Sequence, residues 1–545
     1  MGIHRARRRA VGVVGTTLAL VVLAGCRPAA VITPGNPGPA DVTFTIDASV
    51  AGTPISPLIY GSNSNRNLAA NKQTVLRMGG NRWTAYNWEN NYSNAGSDYC
   101  FQNDNYLSSS TNPGAAVLPT IDQATGAGAA AIVTVPILDY VAADNVQGCN
   151  NVMNSPDYLN TRFNQNKAVK GSAFAASPNK TDDFVYADEY VNWLKTNRPN
   201  ATLYFSLDNE PDLWSATHQE IHPNPVTYAE MVQRNVDFAK AIKNVWPTAN
   251  VTGPVNYGWL GMENLQQAPD SGAHGNFIEY YLDQMKAAGT ANGKRLIDQL
   301  DVHYYSEATG KNGGNDVRVN WTDGNGNPDN SAGVAAAREQ APRSLWDPTY
   351  VESSWITNCC SGGAINLLPK MKARIAAHYP GTDIAMTEWN FGGGNHISGA
   401  IATADAFGIF GQQGMKMATF WELGADESFT YAAFRAFRNY DGAGSSFGNI
   451  SVPATSSNVA TATVYASKVT GAPNKTVIVA INKATTAKSA AITIKCSKRY
   501  TSAKVYTITA AGGANVVAKP DITPVATNAF NYSMPAQSVS IIVPQ

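Results

Sequence analysis

Two glutamates, each near the end of a short apolar segment, are the clearest candidates for catalytic residues. Residues 203–207 read as a buried strand that leads to Glu210, and residues 383–391 repeat the pattern around Glu388. Pro211 ends the first strand, because proline has no N–H to give to a neighbouring strand. Two carboxylates at strand ends, among aromatic and amide side chains, are the groups that cleavage of a glycosidic bond needs.

The two carboxyl groups need different roles for this chemistry. In retaining hydrolysis an acid protonates the leaving oxygen and a carboxylate roughly 5–5.5 Å away attacks the anomeric carbon. We predict that Glu210, beside Asn209, is the acid/base and that Glu388 is the nucleophile. A neighbouring cation favours the charged form of a carboxylate. Arg77, at the end of another predicted strand, is the candidate cation, with a structural ion pair at the rim as its alternative.

Aromatic and imidazole side chains near the predicted strand ends are candidate supporting residues. Alternation along a strand puts His303 and Tyr305 on one side. We expect Tyr305 to hydrogen-bond Glu388. We expect His303 to contact Glu210 or the sugar, and a satisfied core histidine is the alternative. Sugar faces stack on aromatic rings, so Trp421 is the predicted platform. Further candidates in or near rim loops, which suggest a long cleft as a group, are Trp83, Trp88, Trp214, Trp259, Trp355 and Trp389.

Other acidic residues compete for roles at the same strand ends. Asp208 either sets the pKa of Glu210 or caps the strand. Asp426 and Glu427 follow the last predicted strand as rim charges or as metal ligands. A calcium bound there would be structural, because glycoside hydrolysis requires no metal, and no cofactor is expected. Acidic residues near other strand ends or in loops are Glu89, Asp139, Asp212, Glu352 and Glu422.

The elements that must position these residues alternate between strand and helix patterns over residues 57–439. Apolar segments lie at 58–61, 75–78, 132–137, 203–207, 250–255, 300–305, 384–387 and 415–421. Apolar spacing of three and four residues predicts helices at 188–195, 228–245, 278–288 and 365–378. This alternation predicts an α/β fold, a (β/α)8 TIM barrel, with Glu210 ending strand four and Glu388 ending strand seven. Long loops after strands two, three and six are expected to build the substrate cleft.

The segments that flank the predicted barrel differ in character. Residues 440–545 contain β-rich segments separated by Gly, Pro, Ser and Asn, which predicts an adjoining antiparallel β-sandwich. Residues 42–56 begin with an alternating strand that we expect to join this sandwich. Residues 27–41 are rich in Pro, Gly and Ala and are predicted to be a linker.

Residues 1–26 have the features of an export signal. An arginine-rich start is followed by an apolar stretch and by Leu23-Ala24-Gly25-Cys26, as in bacterial lipoproteins. We predict lipid attachment at Cys26, with simple secretion after cleavage near Ala29 or Ala30 as the alternative. The apolar stretch is too short for a good membrane span, so any membrane contact is expected through the lipid alone.

Composition restricts the class of partner. The 40 basic and 40 acidic residues cancel, so no charge excess points to nucleic acid. The 11 Trp and 24 Tyr suit a surface that binds neutral sugars. Among the 6 cysteines, Cys100 and Cys149 fall in loops after adjacent strands, where a bridge is plausible. Cys359 and Cys360 form a vicinal disulfide or pair elsewhere, and Cys496 has no assigned partner. We expect a monomer.

Several longer motifs resemble glycoside hydrolase family 44, the endo-β-1,4-glucanases and xyloglucanases. The resemblance runs over most of residues 42–545 and is carried by residues 76–91, 98–107, 206–214, 301–307, 387–394 and 531–543. It implies a TIM barrel beside a β-sandwich, and hydrolysis with retention of configuration. The family's acid/base on strand four and nucleophile on strand seven fall on Glu210 and Glu388. The Cys359–Cys360 pair and the lipoprotein-type signal depart from the family.

The sequence therefore predicts an exported enzyme that cuts internal β-1,4 bonds of cellulose-type glucans and xyloglucan. One alternative is a barrel glycosidase that acts on xylan or mannan. Another is a non-catalytic surface lipoprotein that captures polysaccharide. The carboxylate pair argues against the second alternative, because binding alone needs aromatic and amide groups more than two glutamates.

Overall fold

A computed structural model of the chain describes residues 1–2 and 30–545. Cys26 and most of the predicted export signal lie outside the described residues. Among residues 1–2 and 30–545, no helix has both the length and the apolar character that crossing a membrane requires.

A closed barrel of eight parallel strands forms the centre of the molecule, as predicted. Each strand pairs with the next along the chain, and the eighth pairs with the first. The strands are Gly61–Ser62, Val75–Met78, Ala130–Val135, Leu203–Leu207, Asn250–Asn256, Gln299–Tyr305, Asp383–Asn390 and Met417–Phe420. We number them one to eight. Their residues are almost all buried, as expected for parallel strands covered by helices on the outside.

The first barrel strand begins later than predicted. Residues 58 and 59 lie in a 3-10 helix, Pro57–Ile59, and not in a strand. Pro57 occupies the first position of this turn, where its missing N–H costs nothing, and the Ser56 hydroxyl accepts the N–H of Leu58. A local cap therefore outweighed the apolar character of these residues.

The helices include all four that the apolar spacing predicted, with ends shifted by a few residues. Tyr228–Val245 begins at Thr227, whose hydroxyl accepts the N–H of Glu230. The α-helices are Leu68–Asn71, Asn81–Thr84, Leu118–Gly126, Tyr158–Thr161, Ala187–Asn197, Trp214–Thr217, Tyr228–Val245, Gly258–Asn264, Ser271–His274, Phe277–Ala291, Ala332–Gln340, Trp355–Cys359, Leu367–His378, Ile397–Gln413 and Ser428–Arg438. The 3-10 helices are Pro57–Ile59, Gly96–Asp98, Pro211–Leu213, Ala341–Leu345 and Ala510–Gly512.

Long loops with short strands of their own follow barrel strands two, three and six. These short strands are Ser93–Asn94, Asn103–Asp104, Tyr140–Ala142, Phe163–Lys167, Phe184–Tyr186, Thr309–Asn312 and Asn315–Arg318. A Cys100–Cys149 disulfide joins the first two loops, as predicted, and Cys359–Cys360 is a vicinal disulfide. Within residues 30–545, Cys496 is buried and forms no disulfide.

A β-sandwich packs against the barrel, which confirms the predicted fold class. One sheet has four strands, Val42–Asp47, Ala454–Ser456, Lys488–Lys495 and Ala529–Met534. The other has seven, Thr53–Pro54, Ile450–Val452, Ala462–Val469, Ala472–Asn482, Ala503–Thr509, Val517–Ile522 and Ser538–Pro544. The early strand Val42–Asp47 alternates between buried and exposed residues and pairs with Lys488–Lys495. Strands from before and after the barrel in the sequence thus contribute to one sandwich.

The end of the predicted linker contacts the sandwich. The N–H of Ile32 donates to the carbonyl of Cys496, and that of Gly35 donates to Thr527. The Asn531 amide donates to the Pro37 carbonyl. The division into segments 1–26, 27–41, 42–56, 57–439 and 440–545 stays a prediction.

A buried ion pair joins barrel and sandwich. Asp405 lies on Ile397–Gln413, and its Oδ2 is 2.7 Å from Lys483 Nζ, with both side chains fully buried. The hydroxyls of Thr463 and Tyr465 donate to Asp405 Oδ1 at 2.6 Å. We expect Lys483→Met to lower the free energy of unfolding by about 3–5 kcal/mol, because it leaves a buried carboxylate without its cation. Urea titration measures this loss.

Lys495→Met is the matched control, since Lys495 also lies in the sandwich. Its ion pair with Asp47 spans 3.0 Å, but the Lys495 side chain is 47% exposed. Water screens such a pair, so the expected loss is about 0–1 kcal/mol. Equal losses in the two variants would contradict a role for the buried pair at the interface.

Candidate active site

A strained turn at the end of barrel strand four presents Glu210. Asp208 and Glu210 both have left-handed backbone angles, with φ of 70° and 46°. The Asp208 carboxylate holds the turn by accepting the Thr84 hydroxyl at 2.6 Å and the N–H of Ile137 at 2.7 Å. Asp208 therefore caps the strand end, one of its two predicted roles. The N–H of Glu210 donates to the carbonyl of Val255 on strand five, 3.1 Å away.

Two donors hold Glu388 at the end of barrel strand seven. Arg77 Nη1 is 2.7 Å from its Oε1, and the Tyr305 hydroxyl donates to its Oε2 at 2.7 Å. Arg77 Nη2 also donates to Asn209 Oδ1 at 2.8 Å. Asn63, which was not predicted from the sequence, accepts a hydrogen bond from Arg77 Nη1 at 3.1 Å. The guanidinium thus links the ends of strands two, four and seven.

His303 lies between the two glutamates. Its Nδ1 is 2.7 Å from Glu210 Oε1 and 3.6 Å from Glu388 Oε2. One oxygen of each glutamate and one ring nitrogen all lie within 4.8 Å of one another. Such a separation suits a retaining pair at roughly 5–5.5 Å better than an inverting pair, which needs room for a water.

Burial separates the protonation behaviour of these groups. It raises the pKa of Glu210 to about 7, although Arg77 acts in the opposite direction. It lowers the pKa of His303 to about 4, so the imidazole is neutral at neutral pH. Glu210 is therefore a carboxyl group that still carries its proton at a pH where ordinary carboxyls are ionised.

Asp426 and Glu427, the candidate calcium ligands, accept hydrogen bonds from their own loop and helix. Glu427 accepts the N–H groups of Leu423 and Gly424 and the hydroxyl of Thr430. Asp426 accepts the N–H of Ser428. Both therefore serve the start of the last barrel helix. In the described part of the chain, the group of Glu210, His303 and Glu388 comes closest to a ligand cluster. Two carboxylates, a nitrogen and an adjacent guanidinium do not suit calcium, which takes about six to eight oxygens.

Two cavities adjoin Arg77 and Tyr305, the two residues that hold Glu388. One of about 410 Å³ is lined by Arg77, Trp83 and Trp421. Gly80, with φ of 98°, leaves room for the Trp421 ring, because a Cβ there would lie 3.0 Å from it. A second cavity, of about 180 Å³, is lined by residues that include Tyr305, Trp259 and Trp355. Aromatic rings thus line both halves of the cleft.

Three of the predicted tryptophans do not reach the cleft. Trp88, Trp214 and Trp389 are 2%, 1% and 0% exposed, so a sugar cannot contact them. Trp389 packs edge-on against Phe407 and Phe410, because alternation points it outward when Glu388 points inward. These three residues are part of the hydrophobic core. Trp83 and Trp259 are 8% and 7% exposed, and each lines one of the two cavities.

Comparison with known proteins gives this barrel its class. The sequence profile of glycoside hydrolase family 44 matches residues 92–308. Endoglucanase A of Paenibacillus lautus is 40% identical over 526 residues, which cover 93% of this chain and 73% of that protein. The protein is therefore a glycoside hydrolase.

Solved structures agree over nearly the whole chain. Cel44A, a glycoside hydrolase family 44 endoglucanase from Clostridium thermocellum, matches with a TM-score of 0.86 and 39% identity, covering 92% of this chain and 99% of that one. A family 44 xyloglucanase from Paenibacillus polymyxa, solved with xyloglucan, matches with a TM-score of 0.85 and 38% identity over the same shares. The chain belongs to glycoside hydrolase family 44.

Proposed function

We propose that the protein is an endo-acting, retaining hydrolase that cleaves internal β-1,4-glucosidic bonds of cellulose-type glucans and xyloglucan. The observation that carries this proposal is the pair of strand-end glutamates within reach of one neutral histidine. One cavity is lined by Arg77 and another by Tyr305, the two residues that hold Glu388, and this supports endo action because an internal bond needs chain bound on each side. The names of the relatives support the glucan backbone as substrate.

In the proposed first step, the Glu388 carboxylate attacks the anomeric carbon and the bond to the leaving oxygen breaks. Glu210 gives its proton to that oxygen, so the departing chain leaves as an alcohol. In the second step Glu210 takes a proton from water, whose oxygen attacks the anomeric carbon and releases Glu388. Two displacements at one carbon retain its configuration.

Neighbouring groups support these steps in different ways. Arg77 and Tyr305 orient Glu388 for attack, through contacts of 2.7 Å to its two oxygens. Asn209 fixes the far side of the guanidinium. Trp421 lines the larger cavity, where the sugar that reacts would stack on its ring.

The deciding experiment measures release of reducing ends from carboxymethylcellulose and tamarind xyloglucan, with Glu210→Gln as the control. We expect release by the wild type only, and the ratio of the two rates ranks the polymers. If the folded wild type releases nothing from either polymer but cleaves xylan or mannan, that polymer would replace β-1,4-glucan as the assigned substrate. Binding without cleavage of all four would make the protein a polysaccharide-capture protein.

The pH dependence of kcat/KM follows from the proposed role of Glu210. Only the protonated form donates a proton, and its fraction falls as the pH rises through about 7, the pKa that burial gives this group. We expect kcat/KM on xyloglucan to decline above about pH 7. Stopped assays over about pH 5 to 9 measure the profile. A flat profile through the alkaline range would contradict the assignment of Glu210 as the acid.

We also propose that the signal in residues 1–26 exports the enzyme and that lipid on Cys26 holds it at the cell surface. Fractionation of cells that express wild type or Cys26→Ser tests the anchor. We expect the wild type to be bound to the membrane and the variant to be released, whereas release of both indicates simple secretion.

We further propose that the protein is a monomer. Light scattering tests this, and a mass above that of one chain would overturn it.

A structural calcium stays a prediction without an assigned site, since Asp426 and Glu427 bind donors of their own loop. The melting temperature after removal of metal by a chelator, and again after addition of calcium, measures it. We expect calcium to raise the melting temperature if it has a site in the fold, and an equal value in both conditions would exclude one.

A further inference from the structure

Three buried side chains form a hydrogen-bonded chain that ends on Glu210, which is partly exposed. Asp301 contacts the Thr387 hydroxyl at 2.9 and 3.0 Å, and that hydroxyl lies 3.2 Å from His303 Nε2. The opposite ring nitrogen, Nδ1, lies 2.7 Å from Glu210 Oε1. Asp301, Thr387 and His303 are fully buried, so no bulk water competes for these contacts. The direction of each hydrogen bond therefore follows from the donors and acceptors present.

The first direction is set at Asp301. Its carboxylate accepts the N–H of Thr387 at 3.1 Å and the hydroxyl of Thr252 at 2.9 Å, in addition to the Thr387 hydroxyl. Burial raises the pKa of Asp301, while His303, Arg77 and the hydroxyl donors act to lower it. An ionised carboxylate carries no hydrogen, so Asp301 can only accept from the hydroxyl groups around it. The Thr387 hydroxyl therefore gives its single proton to Asp301.

The second direction follows at His303. With its proton committed to Asp301, the Thr387 oxygen can only accept from the imidazole. His303 Nε2 must then carry the hydrogen. Because the ring is neutral, Nδ1 is left unprotonated and can only accept. The partner of Nδ1 is Glu210 Oε1, so the hydrogen between these two atoms belongs to Glu210.

We propose that Asp301 and Thr387 are positioning residues that fix the tautomer of His303 and so keep Glu210 protonated before substrate is cleaved. Neither touches the sugar or the reacting atoms, and both act through the imidazole. This inference rests on the proposed role of Glu210 as the acid. It assigns the proton to one carboxyl of the pair by a chain of directed hydrogen bonds, a feature separate from burial.

Other charged groups face this chain and would act on any titration within it. The ones that contribute at His303 or Glu210 are Glu388, Arg77, Asp301 and Asp98. Arg77 and Glu388 pair at 2.7 Å and act in opposite directions on the pKa of His303. Asp98 is exposed, where water screens its charge. The hydrogen-bonded chain from Asp301 to Glu210 is therefore what sets the position of the proton.

The direct test is the tautomer of His303, measured by nitrogen NMR on protein with labelled histidine. The chain has 7 histidines, and the signal missing in His303→Gln identifies the one of interest. We expect hydrogen on Nε2 and none on Nδ1 in the free wild-type enzyme near neutral pH. Hydrogen on Nδ1 would overturn the proposal. This readout does not depend on turnover, so it stands whether or not Glu210 is the acid.

Asp301→Asn should reverse the direction of the hydrogen bonds from residue 301 to Glu210, while the side chain keeps its shape. An amide nitrogen can donate to the Thr387 oxygen, which frees the threonine proton for His303 Nε2. We expect the hydrogen of the ring to move to Nδ1, where it favours ionised Glu210. The decline of kcat/KM at alkaline pH, its basic limb, should then begin roughly one pH unit lower. A shift of this size corresponds to the free energy of one hydrogen bond to a charged group. An unchanged tautomer and an unchanged limb in a folded variant would contradict the proposal.

Two threonine variants separate this role from packing. Thr387→Val keeps the shape but removes the hydroxyl, and we expect a mixed tautomer with a lower basic limb. Thr387→Ser restores the hydroxyl and should restore both wild-type readouts. Thr419→Val is the matched control, because its buried hydroxyl donates to the Thr387 carbonyl outside the chain. A shift of the same size in Thr419→Val would mean that packing alone explains the effect. If instead the tautomer responds but no variant or wild type cleaves glucan, the proposed function fails and the tautomer assignment stands.

Discussion

Glu388→Gln should lower kcat on soluble β-1,4-glucan by on the order of 10⁴- to 10⁶-fold, the range seen when a nucleophile is removed from a catalytic group that acts as a unit. Glutamine keeps the shape of the side chain and can still accept from Arg77 through its amide oxygen, while its amide N–H donates to the Tyr305 oxygen. That amide oxygen is a poor nucleophile at carbon. Initial rates of reducing-end release measure the loss. Near-wild-type turnover would remove Glu388 from the proposed role.

Glu339→Gln is the matched control for this loss. Glu339 is also buried, at 2% exposed, but its partner is Gln537 of the sandwich and it lies outside the site. We expect its activity to stay close to wild type. Glu388→Gly extends the test, because azide can enter the space left by the side chain and attack in its place. The expected product is a glycosyl azide of inverted configuration, and an azide product with retained configuration would exclude Glu388 as the nucleophile.

Glu210→Ala should have an effect that depends on the leaving group. A sugar hydroxyl leaves poorly without a proton, so kcat/KM on xyloglucan should fall by about 10²- to 10⁴-fold, the usual contribution of general acid catalysis. A 2,4-dinitrophenyl β-cellobioside needs no proton in the first step, and its first turnover should stay fast. Stopped-flow release of dinitrophenolate should therefore show a burst followed by slow release of the intermediate.

Azide tests the second step in the same variant, in which water attacks the intermediate. Glu210→Ala cannot activate water, whereas azide needs no base to attack the intermediate on Glu388. We expect azide to speed the slow phase and to give a glycosyl azide of retained configuration. Losses of equal size on both substrates, with no response to azide, would show that Glu210 has a structural role instead.

Much of the fold could be predicted from local sequence patterns. Apolar segments of strand length alternate with helical spacing, and both patterns are properties of adjacent residues that survive in the folded chain. The helix Tyr228–Val245 and the strand Leu203–Leu207 have the predicted bounds. The N-terminal strand joined the sandwich as its alternation suggested. The error at Leu58 arose where a proline and a serine cap set a short turn.

The sequence by itself also determined which residue types stand at the strand ends, and parallel strands of a barrel must bring those ends to one face. It did not determine which side chains meet there. Arg77 and Glu388 are 311 residues apart, and the barrel register decides that they touch. Burial also had to be seen in three dimensions, since Trp389 follows Glu388 directly yet lies in the core.

The chain from Asp301 to Glu210 could be found only in the tertiary structure. Its members come from barrel strands six and seven and from the turn after strand four, and the register between strands six and seven shifts between Asp301 and His303. A shift of one residue changes which side chains face each other across a strand pair. Hydrogen-bond direction depends on those contacts at distances near 3 Å. Local sequence names the donors and acceptors, but only the packed barrel decides which atoms share each proton.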